Sequence, residues 1–207
     1  VNGLVIFEEI GHTYTVDGVP VELCVSDVLE LAGITGYSDR IPRYLIEHAG
    51  ELGTAVHKAC HYLDLGELDV NTVDEQIAGY VMGYHKFCRE YEPFWYFMEE
   101  PFADSKLGVA GTPDRIGEIL ASPDDPKSRC IIDIKTAAKA EKHWGLQLSA
   151  YAILSGLGKQ DYALYVLHLK RDGSFQLLPY KFEPDVFRAA LTVAQWKNRN
   201  GNKRRAA

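Results

Sequence analysis

The hydrophobic patterning of this chain predicts an α/β fold with α+β character, a mixed central sheet flanked by helices. Three observations predict it. Short runs rich in aromatic and β-branched residues occur near 95–99, 114–120, 130–135, 162–169 and 174–182, as strands require. Stretches with helical apolar spacing precede, interrupt and follow them. Turn signals such as Asp17-Gly18 and Asp172-Gly173 separate the runs.

Residues 4–9 and 12–16 flank Gly11 and read as an N-terminal hairpin. Ser26 is placed to cap a short helix through Leu31, since its hydroxyl can accept a first-turn N–H, and Gly33 is placed to end it. Helical spacing from about Pro42 to Leu65 carries His57. Thr72 and Glu75 have capping-box spacing ahead of a long helix to about Glu92, where Pro93 stops it. Strands are expected at 95–99, 114–120 and 130–135. The loop 122–128 joins the latter two as an antiparallel hairpin, which brings Asp114 and Asp133 near each other. A helix at 143–155 follows, then strands near 162–169 and 174–182, and a last helix from about Pro184 to Lys197.

The 207 residues fit one domain over 1–196, with the hairpin and a helical insertion in 1–92 and the main sheet in 93–196. A basic tail over 197–207 follows. Hydrophobic residues make up 46% of the chain, enough for a sizeable core. No apolar stretch is long enough to span a bilayer and no basic-then-apolar leader precedes the first strand, so no membrane partner is expected. A cytoplasmic protein, of a bacterial or phage-infected cell, is the expectation. The four cysteines are too scattered for a zinc ribbon and a chain of this size needs no disulfides, so reduced thiols are expected.

A net charge of −7 argues against wholesale electrostatic binding to nucleic acid. Its distribution is uneven. Lys197, Arg199, Lys203, Arg204 and Arg205 lie in a stretch without acidic residues, leaving 17 basic against 29 acidic residues, a net of −12, in the rest. Locally, Lys135, Lys139, Lys142 and His143 form a second basic stretch.

Two short segments carry the chemistry: Gly111-Thr112-Pro113-Asp114 and Ile131-Ile132-Asp133-Ile134-Lys135-Thr136. On a strand Asp133 and Lys135 share one face while Ile132 and Ile134 share the other, so charge faces a cleft and isoleucine the core. Two ionised carboxylates brought together repel unless a cation sits between them, and oxygen-rich sites suit Mg²⁺ or Mn²⁺. A lysine beside that metal stabilises charge developing on a phosphate. Gln147 and Tyr151 stand at i and i+4 in a helical segment and share a face. His57, in Gly53-Thr54-Ala55-Val56-His57, adds a neutral imidazole suited to a divalent ion. Each piece alone has an ordinary explanation: an exposed strand face, a turn aspartate, a packing histidine, a core-edge tyrosine. Their conjunction, in this order and on these element types, points to a nuclease centre.

From about Gly53 to Tyr151 the chain resembles the PD-(D/E)XK nuclease superfamily, in its branch of RecB-like and phage recombination exonucleases. The resemblance implies a restriction-endonuclease-like core, with His57, Asp114, Asp133 and the Ile134 backbone carbonyl as metal ligands for one or two Mg²⁺ or Mn²⁺ ions. It also implies that Asp114, Asp133 and Lys135 are catalytic and that Gln147 and Tyr151 match the family's Q-x-x-x-Y motif beside the nucleic acid. Lys139 and Lys142 are further candidate DNA contacts. Relatives with an iron–sulfur cluster carry three cysteines after the nuclease core; here Cys24, Cys60, Cys88 and Cys130 leave none after 130, so no cluster is expected. Glu99 or Glu100 is a candidate extra carboxylate, and the aromatics of 91–97 suit either base stacking or core packing. The expected activity is a DNA exonuclease of recombination, repair or phage DNA processing, with a strand-annealing protein as possible partner. The alternatives are a structure-selective or flap endonuclease with the same centre and an inactive nucleic-acid-binding module.

Overall fold

The computed structural model describes residues 3–8, 11, 13–36, 42–120, 127–157 and 162–205, without the side chains of 202–205. In chain order these form β1 (Val5–Glu8), β2 (Thr13–Val16), β3 (Val19–Pro20), β4 (Leu23–Cys24), α1 (Val25–Ala32), α2 (Arg43–Leu65), a 3-10 turn (Val70–Thr72) and α3 (Glu75–Tyr91). Then come β5 (Phe94–Met98), β6 (Phe102–Asp104), β7 (Val109–Gly111), β8 (Arg115–Leu120), β9 (Lys127–Lys135), α4 (Trp144–Leu154), β10 (Ala163–Leu169), β11 (Phe175–Tyr180) and α5 (Pro184–Arg205). Helices and a mixed sheet thus form the α/β architecture that the patterning predicts.

The central sheet runs β11-β10-β9-β8-β5. Its one parallel pair, β9 with β10, is joined through α4, because parallel neighbours need a crossover. Alternation along β9 sends successive residues to two different cores. Ile131 joins Val166, Leu148 and Phe187 on the side covered by α1, α4 and α5. Ile132 and Ile134 join Val56, Tyr84 and Phe87 on the side covered by α2 and α3. Both faces of the sheet are therefore core, and the charged face of β9 is covered rather than an open cleft. Among the described residues no helix is long and apolar enough to cross a membrane.

Several local expectations change. The cap of α1 is Cys24, whose Sγ accepts from Asp27 N at 3.4 Å while Asp27 returns a bond to Cys24 N at 2.9 Å; Ser26 lies one residue inside the helix. Asp74, not Thr72, caps α3 by accepting from Gln76 N at 2.7 Å. Thr72 instead closes the 3-10 turn, its hydroxyl donating to Asp69 O. The last helix continues past Lys197 to Arg205 through the expected tail, since lysine and arginine are good helix formers. A small sheet ordered β4-β7-β6 had no sequence signal, because two- and three-residue strands show no periodicity. Residues 9 and 12 of the expected hairpin, and 122–126 of the expected loop, lie outside the described residues. Around them β1 pairs with β2 and β8 with β9, both antiparallel.

Candidate active site

Asp114 ends the link between β7 and β8, and Asp133 and Lys135 occupy the C-terminal end of β9, beside β8. The end of β7 that leads into this link packs against α1 and α4. A Cβ on Gly111 would lie 2.8 Å from Val25 Cγ2 and 3.0 Å from Tyr151 Cε1, so only glycine lets the backbone run so close. From the other side α2 presents His57. Its Nδ1 lies 3.3 Å from Asp114 Oδ1 and its Nε2 lies 3.0 Å from the Ile134 carbonyl, 77 residues away. Asp114 Oδ2 accepts the Ile134 N–H at 2.6 Å. Three of the four expected ligands thus close a ring of direct contacts. Asp133 stands beside them, 2% exposed, with Oδ2 at 2.6 Å from Lys135 Nζ.

The electrostatics of this cluster push its two carboxyls apart. Burial raises the Asp114 carboxyl, but His57, Lys135 and the Ile134 N–H outweigh burial and hold it below the ordinary carboxylate range. Burial also raises Asp133, where the Asp114 charge adds to it and the attraction of Lys135 does not compensate, so Asp133 stays above that range. Burial lowers the His57 imidazolium; Asp114 and Asp133 more than reverse this, and its pKa is raised. Both ring nitrogens face acceptors, so the doubly protonated ring satisfies both.

Tyr151, buried on α4, accepts a hydrogen bond from Gln147 Nε2 at 2.8 Å. Burial and the two carboxylates raise its hydroxyl well above the ordinary tyrosine value, which keeps the proton available for donation. Two cavities adjoin the cluster. One of about 600 Å³ is lined by His57, Asp114, Tyr151, Lys58, Glu99 and Tyr14. The other, of about 660 Å³, is lined by Lys135, Gln147, His143, Trp144 and Glu141. Ser26 of α1 borders both. The structure therefore gathers His57, Asp114, Asp133, Ile134 and Lys135, with Gln147 and Tyr151 on the adjoining wall. Lys139 and Lys142 are exposed on the segment between β9 and α4, and neither lines these cavities.

Of the two extra carboxylates considered, Glu99 lines the first cavity and Glu100 is exposed. Aromatic residues 91–97 divide: Tyr91 and Trp95 stack on Phe87 in the core, whereas Phe94, Tyr96 and Phe97 are exposed. All four cysteines are free thiols, in α1's cap, α2, α3 and β9. Sequence reasoning missed Arg115, Asp64 and Tyr84, which form a buried network behind Asp114. The signal available was Arg115 itself, a cation at the start of a largely apolar strand and adjacent to the key aspartate. Sequence reasoning also missed His168, whose Nε2 donates to Ala137 O at 2.6 Å and so anchors the segment that follows Lys135. Compared with models of known protein families and with curated proteins, the chain matches none.

Proposed function

We propose that this chain is a divalent-metal-dependent nuclease of the PD-(D/E)XK kind, hydrolysing DNA phosphodiester bonds as an exonuclease acting on ends. The observation that carries this reading is the ring of contacts among His57, Asp114 and the Ile134 backbone, set beside the Asp133–Lys135 pair. Two carboxylates and one carbonyl oxygen are hard donors and the imidazole nitrogen is a borderline one, a set whose chemistry suits Mg²⁺ or Mn²⁺; among the described residues these side chains are not already drawn together as a metal cage. His57 lies between Asp114 Oδ1 and the Ile134 carbonyl oxygen, and the carboxylates raise its pKa, so positive charge is favoured at this position. His57, Asp114, Asp133 and the Ile134 carbonyl would hold the ion. When bound, it supplies polarisation of the phosphate and a lowered pKa for water.

The other steps fall to the protein. Lys135, anchored to Asp133, keeps a fixed ammonium beside the reacting phosphate, where it offsets charge developing on the oxygens. Tyr151 directs its hydroxyl from the wall of the first cavity, oriented by Gln147. Burial of Asp114 and Asp133 excludes bulk water and strengthens each of these interactions. Lys139 and Lys142, out on the surface segment, would meet the DNA backbone away from the cleaved bond. The choice of exonuclease rests on likeness to the family alone.

A titration of Mg²⁺ and Mn²⁺ on end-labelled linear and covalently closed circular DNA tests the reading. Metal-dependent degradation of the linear substrate with the circle spared is the expected result. Nicking of the circle would replace it with a structure-selective endonuclease using the same centre. Binding without cleavage of either substrate would leave a nucleic-acid-binding module and overturn the catalytic reading.

A further inference from the structure

We propose that Arg115 is a positioning residue that clamps α2 to the sheet and so sets where His57 meets Asp114; the consequence for metal binding rests on the function proposed above. Arg115 follows Asp114 directly and opens β8, where its pairing with Ile132 places it on the side of the sheet that α2 and α3 cover. The guanidinium is 0% exposed. Its Nε donates to Asp64 Oδ2 at 2.7 Å and its Nη1 donates to the Asp114 carbonyl, also at 2.7 Å. Nη1 also lies 3.5 Å from Glu99 Oε1. Tyr84 of α3 adds a hydroxyl donor to Asp64 Oδ2 at 2.7 Å, and Glu99 N donates to the same Asp114 carbonyl at 3.0 Å. Glu99 holds a left-handed backbone, φ 54°, to do so, a conformation that non-glycine residues adopt only where surroundings enforce it.

Asp64 and His57 lie seven residues apart on α2, two turns and about 10 Å along one face. One face of the helix is therefore tied to Asp114 twice: through Arg115 to its main chain and through His57 to its carboxylate. Two attachments fix both the rotation and the slide of a helix, which one does not. A planar fork is needed, because Nε and Nη1 must reach Asp64 and the Asp114 carbonyl at once, and a lysine ammonium on a flexible stem cannot hold that geometry. A purely structural ion pair would not need to end on the backbone of the residue that carries the centre.

The Ile134 amide gives a readout that needs neither metal nor activity, because its N–H bonds to the Asp114 carboxylate. Residue-resolved hydrogen exchange of the metal-free full chain is compared for wild type, Arg115→Lys and Asp64→Asn. The control is Ile119→Val or Ile119→Ala, whichever matches the lowered Tm; Ile119 packs in the same core and, being apolar, makes none of the network's hydrogen bonds. In Arg115→Lys the Ile134 amide should exchange about tenfold faster than in the control, and Mn²⁺ affinity by calorimetry should fall about 10–100-fold. Exchange equal to the matched control would overturn the clamp. Should Arg115→Lys fail to fold, Asp64→Asn decides by the same comparison, since it keeps the shape and one acceptor. Absence of Mn²⁺ binding to the wild type would sink the proposed function instead, with the exchange measurement still deciding the clamp.

Discussion

Replacing Asp133 by asparagine should stabilise the metal-free protein at neutral pH while abolishing cleavage. Asp133 is fully enclosed between α4 and the sheet, and burial, reinforced by the nearby Asp114 charge, pushes its carboxyl up to about 6 from 3.8. That value is already net of the attraction of Lys135. A carboxyl whose folded pKa is raised binds its proton more tightly in the folded than in the unfolded chain. Its contribution to stability is therefore fully present below 3.8 and is lost as pH rises through about 6. Each pKa unit corresponds to about 1.4 kcal/mol, so ionised Asp133 costs on the order of 3 kcal/mol above pH 7. The asparagine side chain would keep the shape and never ionise. For a chain of this length about 2–3 kcal/mol raises Tm by roughly 4–12 °C. Scanning calorimetry in EDTA between pH 4 and 8 reads this: Asp133→Asn should melt near wild type at pH 4 and progressively above it as pH rises. Mn²⁺ should narrow the gap at pH 8, because it stabilises the wild type more than a variant lacking one ligand. An Asp133→Asn variant melting at or below wild type at pH 8 in EDTA would refute the claim that burial dominates this carboxyl.

Lys135→Ala should slow single-turnover cleavage by about 10²–10³-fold and leave Mn²⁺ affinity within about threefold; an unchanged rate would make the lysine a bystander. Gly111→Ala forces a Cβ against the buried Val25 and Tyr151. It should cost about 1–3 kcal/mol, seen as a Tm lowered by roughly 2–12 °C, and should also slow cleavage by displacing Tyr151. His57→Ala removes the ring that bridges Asp114 and the Ile134 carbonyl, so calorimetry should show weaker Mn²⁺ binding with the circular dichroism of the fold retained.

What the amino-acid order determined by itself was local. Alternation along β9 placed Ile132 and Ile134 on one face and Asp133 and Lys135 on the other, and the i, i+4 spacing placed Gln147 beside Tyr151, where a hydrogen bond joins them. The main helices and the five strands of the central sheet were legible for the same reason: backbone periods of 2 and 3.6 are written within a few neighbouring residues. The tertiary structure alone decided that both faces of the sheet are covered, which buries Asp133 and sets its carboxyl apart from that of Asp114. It alone placed Arg115 between α2, α3 and the Asp114 carbonyl, and raised a small sheet from segments too short to show a period. Desolvation and ion pairing depend on what covers a group, and here the covering residues lie tens of positions away along the chain, beyond the reach of any local pattern.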